Sequence, residues 1–447
     1  MNISQKFFSE IDKIARLDIP DEVMSRARLS LLDYLAVTCA GVEFQKEKIK
    51  RYIEFACPEQ GEFNIIGLHK TLALKEAVFL NGLNAHALDF DDGTNSGIIH
   101  LGSPIFSLLI PLSQRYAIDL ETMLKAAIIG YETSYTMAVS IQPKHKALGF
   151  HATGTCGTLG ATMAAAYMLG FSNEERYQAF ATACVSASGM LKVLDDGSEL
   201  KPYNVAKTTL LALTSLQLAK SGFKGHPDPL GGYRGFLKMM VGDEKMEIKP
   251  TLQNGTYAIM KSYTKPYASC RYTHPPVEAA IYLRNQHGIS NEDVENISVA
   301  TYNLAVSGHN HTDIKSVYSA KMSTPFSVAV ALEYGKAGLQ EFCDDNLKAK
   351  KIQELMDKVQ VTSDTELSEI FPDKQSAIVT ITTKDGIFTK RVDFPKGEPE
   401  NPLSEEEFHE RYANLMSFGK IESDVYEDIY INCNHPNILV TDLIKKL

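Results

Sequence analysis

Through the first 260 or so residues, apolar positions recur three and four apart, in blocks separated by short polar turns. That period predicts amphipathic helices joined by tight connections. The pattern from Val23 to Leu35 opens a long helix, and Pro20 stands where a first helical turn tolerates proline. Residues 154–169, 178–190 and 205–218 are apolar nearly all round and rich in small side chains. Helices of that kind are buried on most sides, and Gly, Ala and Ser let their backbones approach closely. The expectation is a large helical domain whose central helices are wrapped by others.

After about residue 262 the period changes. Residues 294–304 alternate like a half-buried strand, and residues 376–394 read as a hairpin centred on Asp385-Gly386. Helical patterns fall between them at 276–286, 325–334 and 346–359. Residues 395–402 form a Pro/Gly-rich linker, and helical patterning resumes at Leu403. The chain is therefore expected to be mainly α. A large all-helical domain is built from residues 1–262 and 403–447, with a smaller α+β domain, 263–402, inserted between them. No repeat at a period of 20–50 residues is visible.

Composition narrows the function. The 447 residues carry 45 Lys and Arg against 55 Asp and Glu, a formal charge of −10, which argues against a nucleic-acid partner. An acidic protein can still shape a local cationic pocket. Seven cysteines without a Cys-x-x-Cys pair signal neither a disulfide framework nor a zinc site, and fit a reducing cytoplasm. The N-terminus lacks an apolar signal core, and no run approaches the ~20 apolar residues of a membrane helix. The reading is a soluble, cytoplasmic protein with no membrane partner.

One stretch concentrates the titratable chemistry. His86-Ala-Leu-Asp-Phe-Asp-Asp92, followed by His100, places two imidazoles and three carboxylates within fifteen residues of otherwise apolar or small character. Such groups shift one another's pKa values, and general acid–base catalysis needs that tuning. The plainer reading is a helix end with a solvated acidic loop. Gly149-Phe-His151 precedes a glycine-rich helix start, where free N–H groups favour an anion, although His151 would also serve as a simple cap. Lys201-Pro-Tyr-Asn opens another apolar helix, and its lysine either meets an anion or snorkels to solvent. Lys265-Pro-Tyr-Ala-Ser-Cys-Arg-Tyr-Thr-His274 gathers Lys, Cys, Arg and His at the domain junction, where small-molecule sites prefer to lie. His309-Asn-His311 looks metal-like but sits in a polar loop. His145 and the remaining histidines show no partner arrangement, Cys270 has no paired base, and no phosphate-loop or nucleophile-elbow motif is present. Together these residues suggest cations around a small polycarboxylate, with a carboxylate–histidine pair to move protons.

In these segments the chain resembles the MmgE/PrpD family. The likeness rests on His86-Ala-Leu-Asp-Phe-Asp-Asp92, Gly149-Phe-His-Ala-Thr-Gly-Thr-Cys-Gly, Lys201-Pro-Tyr-Asn204 and the Lys265–His274 segment, in order along nearly the whole sequence. The resemblance implies a helical domain with an inserted lid, a homodimer, and chemistry without cofactor or metal on small polycarboxylates at the domain cleft. It assigns Asp89 and His100 to the acid–base cluster, with His151 and Lys201 as further catalytic groups. It assigns Lys265, Arg271 and His274 to substrate binding.

The sequence also departs from the family. His100 stands in His-Leu-Gly-Ser rather than His-Pro-Ser, and position 93 is Gly where the decarboxylases carry threonine. Phe326 falls where decarboxylases and dehydratases carry an active-site tyrosine, and a phenyl ring cannot exchange a proton. Tyr318 and Tyr272 are the candidates to replace it. The leading expectation is a lyase, dehydratase or decarboxylase, acting on a citrate- or aconitate-like acid. The alternative is an epimerase of a small dicarboxylate such as iminodisuccinate, which needs no proton for a leaving hydroxyl. Two further readings are a metal-dependent hydrolase built on Asp89, Asp91, Asp92 and His100, and a non-catalytic binding protein.

Overall fold

Blocks with helical spacing form helices. In the computed structural model, which describes residues 1–193, 198–243 and 245–447, the chain divides into two units. One contains Met1–Ser262 and Glu405–Leu447, the other Tyr263–Ser404. Among the described residues no helix is long and apolar enough to cross a membrane.

In the first unit, the Asp21–Phe44 helix starts directly after Pro20, which takes the cap position with extended backbone. The Ala152–Met168 helix is buried along almost its whole length. It packs against Gly102–Tyr116, Leu120–Ile141, Asn173–Ser186 and Tyr203–Lys220. Small residues set those approaches. A Cβ on Gly160 would lie 1.8 Å from Ser134 Oγ and 2.5 Å from the Gly130 carbonyl oxygen. The helix expected over 178–190 ends earlier, at Ser186, because residues 187–190 turn to place Met190 opposite Phe150 in a β-bridge. One small sheet interrupts the helices: β1 (Gln60–Ile65) pairs antiparallel with β2 (Lys70–Leu72). The last segment contributes the Glu405–Phe418 helix, which packs on Asp21–Phe44.

In the second unit a four-stranded sheet has the order β4 (Val359–Ser363), β3 (Val294–Thr301), β5 (Ala377–Thr383), β6 (Gly386–Val392). β3 runs parallel to β4 and antiparallel to β5, and β5–β6 is the hairpin expected around Asp385-Gly386. Helix His274–His287 packs on β5 and β6, and helix Thr324–Tyr334 packs on His274–His287. The helical pattern expected over 346–359 is corrected: two short helices, Asp344–Leu347 and Lys350–Met356, are followed by β4. Only Val359 of that edge strand is buried, so it lacks the alternation that reveals a strand.

Candidate active site

His86 caps the C-terminus of the Leu74–Ala85 helix, and the chain then reverses within a few residues. The reversal places Asp89 at φ +51°, a left-handed conformation unusual for a residue other than glycine. The loop after it closes through a Thr94–Ile99 bridge and delivers His100 to the start of the Gly102–Tyr116 helix. His86, Asp89, Asp91, Asp92, His100, His151 and Lys201 are all buried, none more than 9% exposed. A solvated acidic loop is thereby excluded.

Asp91 is the hub. Both its carboxylate oxygens lie 2.9 Å from His86 Nδ1, and Oδ1 lies 3.3 Å from His100 Nδ1. Ser103 Oγ donates to the other oxygen at 2.6 Å. Burial acts to raise the Asp91 pKa, but the imidazoles of His100 and His86 outweigh it and hold the carboxyl well below the usual range. Asp89 faces the opposite nitrogen of His100, with Oδ1 3.4 Å from Nε2, and Lys201 Nζ approaches the same oxygen at 2.7 Å. His100 therefore lies between the Asp91 carboxylate on the Nδ1 side and a carboxylate–ammonium pair on the Nε2 side. Its backbone N–H is held by Thr153 Oγ1 at 3.1 Å.

His151 stands at the N-cap of the Ala152–Met168 helix, but its side chain caps nothing. Instead Asn204 Nδ2 donates to His151 Nδ1 at 3.1 Å. That bond fixes the tautomer with the proton on Nε2. Burial, with Lys201 and the two neighbouring imidazoles adding to it, drives the His151 pKa well below its ordinary value. His151 is thus a neutral hydrogen-bond donor. Its ring is 5.9 Å from that of His86, which in turn lies 4.7 Å from His100. Burial also lowers the His86 pKa, against the pull of Asp91. Asp92 turns away, accepting from Gly102 N at 2.8 Å and Tyr131 OH at 2.6 Å, and burial pushes its pKa up to about 6.

The remaining sequence candidates belong to the second unit. Lys265, Arg271 and His274 are buried there. Arg271 forms an ion pair with Glu398, and its Nη1 donates to His274 Nδ1 at 2.8 Å. The other ring nitrogen of His274 lies 3.2 Å from the Ser269 carbonyl oxygen. A donor at one nitrogen and an acceptor at the other define a neutral imidazole that orients the guanidinium. Phe326 is fully buried with its ring 5.9 Å from Phe342. Tyr272 packs edge-on against Tyr302 and His309, and burial raises its pKa. Tyr318 is half-buried on the Val317–Met322 helix. The metal-like His309 and His311 are directed at backbone carbonyls, Met322 O at 2.8 Å and Ser319 O at 3.1 Å, consistent with a polar loop. His145, without a visible partner in the sequence, is held between the Met240 carbonyl and Thr155 Oγ1.

Sequence reasoning grouped His86 and Asp91 with the cluster but gave them no role in the proton transfer, and it gave Asn204 none. Asn204 stood inside the recognised Lys201-Pro-Tyr-Asn segment. One donor atom from each of His86, Asp89, Asp91 and His100 falls within 4.8 Å of the others, a set with the composition of a divalent-cation site. Lys201 already supplies a positive charge to the Asp89 oxygen in that set.

The helical unit carries a buried His–Asp–Lys constellation, and the second unit is α+β. The chain belongs to the MmgE/PrpD family, whose N-terminal domain it matches over residues 6–249 and whose C-terminal domain it matches over 267–429. Its relatives include the cis-aconitate decarboxylase of Aspergillus terreus, 25% identical over 441 residues that cover 93% of this chain and 89% of the fungal protein. The cis-aconitate decarboxylase of Mus musculus is 24% identical over 430 residues, 92% and 86% of the two chains. That of Homo sapiens is 23% identical over 452 residues, 94% and 90%.

Proposed function

We propose that this protein is a lyase that uses no cofactor and acts on a small aconitate- or citrate-like polycarboxylate, with decarboxylation as the leading reaction. The observation that carries this reading is the placement of His100 between Asp91 on one ring nitrogen and the Asp89–Lys201 pair at the other. The named activity of the relatives, cis-aconitate decarboxylation, supports the substrate class.

In the proposed reaction, the bond from a methylene carbon to its carboxylate breaks and CO₂ departs. Its electron pair forms a new carbon–carbon double bond, and the old double bond shifts its pair onto the carbon beside another carboxylate. The resulting enediolate needs a nearby positive charge and then a proton on carbon. Lys201 supplies the charge. The His100 imidazolium supplies the proton from Nε2, while Asp91 stabilises the positive ring through Nδ1. His151, neutral with its proton on Nε2, donates a hydrogen bond to a substrate carboxylate without adding a charge. Lys265 and Arg271 are proposed to bind further carboxylates, with His274 serving that binding through the guanidinium it orients.

His100→Ala is expected to lower kcat by ~10²–10⁴, the usual contribution of a general acid–base group. Near-normal turnover by that variant would remove His100 from the mechanism. Since Lys201 already compensates Asp89, activity is also expected to survive exhaustive chelation. Loss on chelation with recovery on adding a divalent metal would favour the His86–Asp89–Asp91–His100 set as a metal site.

One observation supports a second reading, epimerisation of a dicarboxylate. Position 326 carries a buried phenyl ring with no proton to exchange. An epimerase would wash deuterium from solvent into recovered starting acid without forming a new product.

A further inference from the structure

The loop that carries Asp89 and Asp91 is held from beneath by a residue far away in sequence. Arg411, on the Glu405–Phe418 helix, is 8% exposed and ion-pairs through Nη1 with buried Asp33 of the Asp21–Phe44 helix. Its Nη2 donates to the carbonyl oxygen of Phe90 at 3.0 Å, across 321 positions of chain. The guanidinium carbon also lies 4.6 Å from the centroid of the Phe90 ring. One planar cation thus grips both the backbone and the side chain of the residue between the two carboxylates.

That residue follows Asp89 at φ +51°, a backbone state that persists only where its surroundings over-determine it. The loop is also held by backbone turns from Ala87 N to Asn84 O and from Asp89 N to His86 O, each 3.2 Å, by the Asp92 bonds to Gly102 N and Tyr131 OH, and by the side-chain bonds of the constellation, but none of these grips Phe90. A lysine at 411 would keep the charge facing Asp33 but lose the fork that reaches Asp33 and Phe90 O together. Asp33 is itself buried beside Arg411, which fixes where the fork points.

We propose that Arg411 is a positioning residue: the C-terminal segment reaches back through it to clamp Phe90, holding Asp89 against Lys201 and Asp91 against His100. This rests on the proposed acid–base role of those carboxylates, but the clamp can be tested without a substrate. Hydrogen exchange read by mass spectrometry should show faster exchange of residues 86–92 in Arg411→Gln. Leu415→Ala, which opens a cavity one turn further along the same helix but leaves the Arg411 guanidinium in place, should leave that loop at the wild-type rate.

On a turned-over polycarboxylate, Arg411→Gln should lose kcat by up to ~10²-fold, as small misplacements of catalytic groups do. KM should stay within about threefold, since ground-state binding is not what the clamp supplies. Arg411→Lys should recover part of kcat, and it takes over both readouts if Arg411→Gln does not fold. Wild-type exchange of 86–92 in the Arg411 variants would overturn the clamp, as would equal loosening and equal kcat loss in Leu415→Ala. If the wild type turns over no polycarboxylate, the reaction assignment fails while the exchange result still decides the clamp.

Discussion

Asp91 and Asp92 are neighbours in sequence whose surroundings drive their protonation in opposite directions. Asp91 binds its proton less tightly in the folded chain because His100 and His86 flank it, so its contribution to stability is present above the unfolded carboxyl pKa and is lost as pH falls. Burial raises Asp92 to about 6, so the fold binds that proton more tightly than the unfolded chain does. Stability from Asp92 is therefore full below about pH 4 and declines through about pH 6, a loss on the order of 3 kcal/mol. Asp92→Asn removes this titration. Urea unfolding of both proteins at pH 4 and pH 7 should show the wild type losing about that much relative to the variant, and a constant difference would refute the assignment. Asp91→Asn keeps the shape but takes the charge from behind His100, and a lost orienting carboxylate can cost up to ~10⁴ in kcat, as in serine proteases. Unchanged kcat would show that Asp91 is structural. The local motif made His86, Asp89, Asp91 and His100 legible as a group, but not which carboxylate faces which nitrogen. That depends on the left-handed turn at Asp89, which no side-chain pattern encodes. Arg411 was invisible, because its target is a backbone carbonyl 321 residues away.

Elements with a strong period were read well, and weakly patterned ones were not. The all-apolar blocks at 154–169 and 205–218 became the Ala152–Met168 and Tyr203–Lys220 helices because burial on every side leaves few alternatives for a run that long. The Asp-Gly hairpin formed where its turn chemistry placed it. The β1–β2 pair escaped notice because β2 is three residues long and only Leu72 of it is buried. The same cause hid β4. Close packing of the Leu120–Ile141 and Ala152–Met168 helices rests on Gly160, where a methyl group would overlap Ser134 Oγ. Gly160→Ala should destabilise the protein by ~1–3 kcal/mol despite alanine's better helix propensity. A gain in unfolding midpoint would mean that the helices can separate at no cost.

Across the whole molecule, a net charge of −10 coexists with cations buried among the described residues: Lys201 and Arg411 in the helical unit, and Lys265, Arg271 and Lys321 in the α+β unit. Burying ammonium and guanidinium groups is costly unless each meets an anion, as Lys201 does in Asp89, Arg271 in Glu398 and Arg411 in Asp33. The membership of the chain in the MmgE/PrpD family was legible from four sequence segments. The particular reaction was not, because proton transfer beside a carboxylate serves lyases and epimerases alike. Proton NMR of cis-aconitate incubated with the protein in deuterated water tests the central claim most directly. The account predicts a five-carbon unsaturated dicarboxylate bearing one deuterium at the newly protonated carbon, formed ~10²–10⁴ times more slowly by His100→Ala. Undiminished product formation by that variant would contradict it, as would a wild type that leaves cis-aconitate, citrate and 2-methylcitrate untouched.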